Sequence, residues 1–170
     1  MLNLDNKKLK TLLILRHARS SLKSSNLSDH DRPLDELARQ DALQVGKLLR
    51  SKELVPDFIM SSTALRAKTT ADLVAKGCRF VGEVVLEQLL YHAKPIDYIK
   101  VLERLSDRYE RVLLVGHNPT VEDAIEMLIG SPDTTMSPCT LAHLDLPIQK
   151  WSDLRQGNNF GAELIGVLRP

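Results

Sequence analysis

Three short stretches concentrate residue types that can do chemistry together: Arg16-His17-Ala18-Arg19-Ser20, Ser61-Ser62-Thr63-Ala64-Leu65-Arg66-Ala67, and Gly116-His117-Asn118-Pro119. Two imidazoles and two guanidiniums suit a phosphoryl group. Its transfer spreads charge over three equatorial oxygens, so a site needs placed cations, hydrogen-bond donors and one nucleophile in line with the departing group. Arg16 and Arg66 supply forked, permanently charged donors. A neutral imidazole is a competent nucleophile, and nearby guanidinium charge lowers the pKa of His17 and helps keep it neutral. His117 can donate to a phosphoryl oxygen, and backbone N–H groups around Asn118 and Thr120, at the start of a helix, can face an anion. Singly, each stretch is ordinary. An Arg-His pair can end any strand, Asn118-Pro119 reads as a capped helix start, and Arg66 suits a solvated helix face. Their conjunction is what points to a phosphoryl site.

That conjunction depends on the elements that carry them. Short apolar runs rich in branched residues alternate with stretches of helical spacing, the pattern of an α/β domain with a mostly parallel sheet and helices on both faces. Strands are predicted at Thr11 to Leu15, Phe58 to Met60, about Phe80 to Leu86, and Val112 to Val115, the last being the most apolar and central. Two more, Leu141 to Leu146 and Leu164 to Leu168, are expected near the sheet edge around a polar loop, Ser152 to Gly161. Ala38, Ala42, Val45 and Leu49 mark a first helix, and Ala64, Ala67, Ala71 and Val74 a closely packed second. Ile99, Leu102 and Leu105 follow Pro95 in a third, and Val121, Ile125 and Leu128 follow Pro119 in a fourth. Arg19 to Arg32 lacks apolar periodicity and reads as a loop. All three chemical stretches then directly follow strand runs, and ligands of an open parallel sheet bind outside the carboxyl ends of its strands.

Composition sets the class. At 170 residues and 43% hydrophobic, the chain suits one compact domain, predicted over residues 11–170 with residues 1–10 as a frayed lead-in. The 23 basic and 22 acidic residues nearly cancel, so the global field favours neither nucleic acid nor an anionic membrane as partner. No apolar stretch approaches the roughly 20 residues of a membrane span, and the run at Leu12 to Leu15 is too short for a signal peptide. Cys78 and Cys139 read as reduced structural thiols of a cytoplasmic protein. His30, in Ser28-Asp29-His30-Asp31, lacks metal-ligand spacing and is expected in a solvated loop. His143 is expected to be structural.

Five ordered segments resemble the histidine phosphatase superfamily, also called phosphoglycerate mutase-like, and within it the SixA-type phosphohistidine phosphatases. They are Leu13-Ile14-Leu15-Arg16-His17-Ala18-Arg19-Ser20, Arg32-Pro33-Leu34 with Ala38-Arg39-Gln40-Asp41-Ala42, Ser61 to Ala71, Leu90-Tyr91-His92-Ala93, and Leu113 to Pro119. The resemblance implies a hydrolase in which His17 forms a covalent phosphohistidine while Arg16, Arg66 and His117 bind the phosphoryl group. Arg32 resembles an additional pocket arginine and His92 belongs to a family-like segment at the pocket rim, while Asn118 is expected to bind substrate from its place at the helix start. No metal or organic cofactor is implied. The substrate is then a phosphorylated protein, phosphohistidine first among the candidates, or a small phosphorylated molecule.

Two positions depart from the pattern. Many members carry glycine where this chain has Ala18, although alanine is familiar among SixA-like sequences. The carboxylic proton donor of larger members has no clear counterpart. Glu87 is nearest by position, and the acid stays unassigned. Rival readings are a broad small-molecule phosphomonoesterase and a non-catalytic phosphate-binding module. A degenerate site would be expected to lose at least one of Arg16, His17, Arg66 and His117.

Overall fold

The computed structural model describes residues 9–21, 26–131, 134–156 and 160–170. Strand β1 (Lys10–Arg16) lies beside β4 (Arg111–Gly116) in parallel, and β2 (Phe58–Ser62) flanks β4 with β3 (Val85–Glu87) outside it, also parallel. On the other side β5 (Leu141–Leu146) runs antiparallel to β1, and β6 (Glu163–Leu168) antiparallel to β5. The order is β3-β2-β4-β1-β5-β6, so the two strands that deliver the histidines are the central pair.

Alternation along the central strands builds two cores. Leu12, Ile14, Val112 and Leu114 face one side, where α3 (Pro95–Leu102) and α4 (Thr120–Ile129) pack. Leu13, Leu15, Leu113 and Val115 face the other, covered by α1 (Glu36–Ser51) and α2 (Leu65–Cys78). Strands buried on both faces read as unbroken apolar runs, the signal that betrayed them in the sequence. The expected three-layer arrangement is the one observed. The alanine-rich helix contact is closer still at two glycines: a Cβ on Gly46 would stand 2.8 Å from Gly77 Cα, so α1 and α2 touch backbone to backbone. No helix among the described residues is long and apolar enough to cross a membrane.

Three expectations need adjustment. The third strand covers Val85–Glu87 rather than Phe80 to Leu86, because α2 ends with Arg79 in a left-handed conformation (φ 57°). Phe80 N–H then donates back to the Ala75 carbonyl at 2.9 Å, a helix-closing pattern that commits Phe80 to the cap. The polar stretch after β5 opens as a 3-10 helix, Trp151–Gln156, anchored by fully buried Trp151, whose indole N–H donates to the Tyr109 carbonyl at 2.9 Å. Lys10 belongs to β1 and is buried, its ammonium donating to the carbonyls of Asp107 and Tyr109 at 2.7 and 3.0 Å. Residues 1–8 of the predicted lead-in lie outside the described residues, as do 22–25 in the Arg19 to Arg32 loop. His143 stands on β5, which is interior to the sheet, half-buried and 3.6 Å from the Asp145 carboxylate.

Candidate active site

The parallel register sets Arg16 beside Gly116, so the residues that follow, His17 and His117, leave the sheet together. His17 N–H donates to the Gly116 carbonyl at 3.0 Å, and the two imidazoles stand with centroids 4.9 Å apart at 59°. Gly116 is required here. A Cβ would fall on the hydroxyl of Tyr98, a fully buried residue of α3 that packs beneath the strand end.

The His17 ring has its tautomer set by its own neighbour. Nδ1 lies 2.7 Å from the Ala18 carbonyl, an acceptor only, so Nδ1 carries the hydrogen and Nε2 carries the lone pair. Ala18 is itself fixed: its N–H donates to Thr70 Oγ1 (3.1 Å), whose hydroxyl donates to the Arg66 carbonyl (2.7 Å) within α2. Arg66, in the first turn of α2 and only 8% exposed, points Nε–H at His17 Nε2 across 3.3 Å. Burial pushes the His17 pKa down; the Ala18 bond opposes this, and the charges of Arg66, Arg16 and Arg32 deepen it, to about 4. The guanidinium charge expected to help does contribute, and desolvation leads.

His117 is lowered further, to about 3, first by burial and then by His17 and Arg66. Its Nε2 lies 2.8 Å from Ser62 Oγ at the end of β2. Because Ser62 Oγ accepts the Ala64 N–H (3.3 Å), its hydrogen is free to go to His117 Nε2. With Ser62 Oγ as the donor to Nε2, the His117 proton stands on Nδ1, a buried nitrogen with no hydrogen-bond partner among the described residues. Arg16 donates from Nη1 to the Met136 carbonyl at 2.8 Å, and its buried Nε has no partner among the described residues. Glu122 of α4 holds this wall together, accepting from Met136 N–H at 2.7 Å and from the Asn118 side chain at 2.8 Å.

The predicted residues are not all equivalent. His17, Arg66 and His117 form one contact group, and Arg16 stands at the same strand end. Arg32 is close enough for its charge to reach His17, yet its guanidinium donates to Ser20 Oγ (2.8 Å) and to the Asp29 carboxylate (3.3 Å). Asn118 lines the neighbouring cavity with its amide hydrogens given to Glu122 and to the Met136 carbonyl. It does not cap α4, where Pro119 holds the cap position. Glu87 closes β3, and its carboxylate accepts the Leu89 N–H at 2.8 Å. His92 lines the cavity, as anticipated, with its ring 3.9 Å from that of Tyr91.

Sequence reasoning missed Ser62, Thr70 and, above all, Asp29. The segment expected to be a solvated loop is a 3-10 turn, Asp29–Asp31, laid against the site. Arg66 donates from Nη2 to Asp29 Oδ2 at 3.0 Å and from Nη1 to the Asp29 carbonyl, and the Tyr91 hydroxyl donates to Oδ2 at 3.0 Å. Burial pushes the Asp29 pKa up, but the bonds from Arg66, Tyr91 and Arg32 and the Arg66 charge outweigh it and hold the carboxyl below its ordinary value. Asp29, Arg66, Tyr91, His92, His117 and Asn118 are among the walls of a cavity of about 420 Å³. His17 is not a wall but touches two residues that are.

The profile of the histidine phosphatase superfamily (branch 1) matches residues 12–90. An uncharacterized protein of Mycobacterium leprae is 32% identical over 120 residues, covering 69% of this chain and 72% of that one. Among solved structures, a chain from Agrobacterium tumefaciens assigned as phosphohistidine phosphatase SixA superposes with a TM-score of 0.78 at 27% identity, covering 95% of this chain and 98% of that one. A protein histidine phosphatase SixA complexed with tungstate shares the fold at a TM-score of 0.79 and 18% identity, over 94% and 96% of the two chains.

Proposed function

Because the chain belongs to the histidine phosphatase superfamily, and is with it a phosphatase, we propose that it removes phosphate from phosphohistidine carried on a protein, through a phosphoryl group held covalently on His17. The observation that carries this reading is the His17 ring, with its Nε2 lone pair turned to Arg66 and its Nδ1 hydrogen committed to Ala18. In the first step that lone pair attacks phosphorus and the bond from phosphorus to the leaving group breaks. Arg16, Arg66 and the Nδ1–H of His117 take the developing charge on the equatorial oxygens. A departing imidazole takes its proton from solvent, so the reaction does not call on Glu87, whose carboxylate is engaged with Leu89. Water then attacks the phosphorus, the bond to His17 Nε2 breaks, and phosphate leaves with the imidazole neutral again.

Support for the protein substrate comes from the SixA-like structure matched over 95% of this chain, and from the ring faces of Tyr91 and His92, on which a planar imidazole can stack. A second reading, a small phosphomonoester as substrate, draws on the cavity itself, whose volume falls in the range of small-ligand pockets. Measuring kcat/KM on a phosphohistidine-bearing protein beside sugar and glycerate phosphates decides between them. The first reading expects the protein to be preferred by orders of magnitude, and comparable or better turnover of any small ester would overturn it.

A further inference from the structure

Each nitrogen of the Arg66 guanidinium is engaged in this structure, through three of its five N–H groups. Nε–H is aimed at His17 Nε2, Nη1 at the Asp29 carbonyl and Nη2 at Asp29 Oδ2. The Asp29 carboxylate is also held by Tyr91 hydroxyl and by Arg32 Nη1. Two guanidiniums and a phenol around one oxyanion, at the wall of the cavity and next to the His17 ring, make a receptor for an anion, and a side chain of the protein occupies it. We propose that Asp29 is a built-in competitor for the phosphoryl group: its carboxylate takes Arg66 in the free enzyme, yields it when substrate binds, and returns to it as phosphate departs. This rests on the reading of Arg66 as a phosphoryl-binding residue.

Two features favour displacement over permanent support. The turn Asp29–Asp31 buries none of its residues, and the Asp29 side chain is 52% exposed, so moving it uncovers little apolar surface. Beyond the Asp29 bonds already given, its ties among the described residues include His30 Nε2 to Thr63 Oγ1 at 3.0 Å, the His30 ring against that of Tyr91 at 4.9 Å, and Asp31 with Ser28. A fixed carboxylate on Arg66 would also repel a phosphoryl dianion at a few ångströms, which is unfavourable at any plausible local dielectric. Competition of this kind weakens binding of the product more than it slows chemistry, because free phosphate has only this site to hold it while a protein substrate has further contacts.

The test is binding of inorganic phosphate, measured by calorimetry, to the wild-type chain, Asp29→Asn, Asp29→Ala and the control Asp31→Asn. Asp31 shares the turn and is 64% exposed but makes no contact with Arg66. Removing the competing charge is expected to lower the dissociation constant roughly tenfold, the scale of one charge-assisted bond. Asp31→Asn should leave it unchanged, and KM should fall in the Asp29 variants more than kcat changes. Unchanged or weaker phosphate binding in both Asp29 variants would overturn the proposal and make Asp29 a support for Arg66. Phosphoenzyme formation at His17, followed in the same proteins, separates the two ideas: wild type that forms it while Asp29→Asn fails to gain phosphate affinity loses only the competitor. If no protein binds phosphate or forms the intermediate, the competitor and the phosphatase mechanism both fall.

Discussion

Holding His17 neutral should make the fold sensitive to mild acid, by an amount that can be worked out. In the folded chain the His17 pKa is lowered from 6.5 to about 4, while the unfolded chain titrates near 6.5. Between those values the unfolded state binds a proton that the folded state refuses. The associated stability is therefore complete above about pH 6.5, is lost as pH falls toward 4, and changes no further below that. At about 1.4 kcal/mol per pKa unit this amounts to on the order of 3 kcal/mol, of which some 2–3 is gone by about pH 4.5. The depressed carboxylates, Asp29, Asp35 and Asp97 among them, release their contribution only below their ordinary value of 3.8, outside this window. Urea unfolding of wild type and His17→Asn from above pH 7 down to about 4.5 reads the effect, since every other titrating group is present in both and the neighbour His117, whose pKa His17 also lowers, is coupled to it. The stability difference between the two proteins should shift by 2–3 kcal/mol against the wild type as pH falls. Stability is a cleaner readout than turnover, because phosphate substrates themselves titrate near pH 6. A difference that stays constant with pH would refute the claim that burial and guanidinium charge keep this imidazole neutral.

Arg66→Ala should lower kcat/KM by roughly 10²-fold or more, and Arg66→Lys should recover little of it, since one ammonium cannot serve His17 and an oxyanion from fixed directions. Gly116→Ala should cost about 1–3 kcal/mol in thermal or chemical unfolding by driving a methyl into the Tyr98 hydroxyl, and Tyr98→Phe in the same chain should return part of it.

The sheet was legible because its strands are buried on both faces. Leu12 to Leu15 and Val112 to Val115 hold no polar residue to interrupt the run, and all eight side chains are buried. The same logic overreached at Phe80, whose apolar side chain follows a helix cap that no period of two can reveal. At the site, His17, Arg66 and His117 could be found because three stretches that are ordinary singly all follow strand runs and carry complementary chemistry to one end of the sheet. Asp29 could not, since what distinguishes it is a contact to Arg66 that lies 37 residues away, and its local sequence is that of any polar turn. Ser62 and Thr70 are hidden for a related reason. Small hydroxyls are common in strand ends and helices, and only the folded chain shows that one orients His117 and the other braces Ala18.

The most direct test of a covalent path is to quench the enzyme within the first turnovers on a radiolabelled phosphohistidine protein and map the label. The account predicts acid-labile phosphate on the peptide containing His17, approaching one per chain, with none in His17→Ala although that variant still binds inorganic phosphate. Label on another residue, or turnover that persists in His17→Ala, would contradict it.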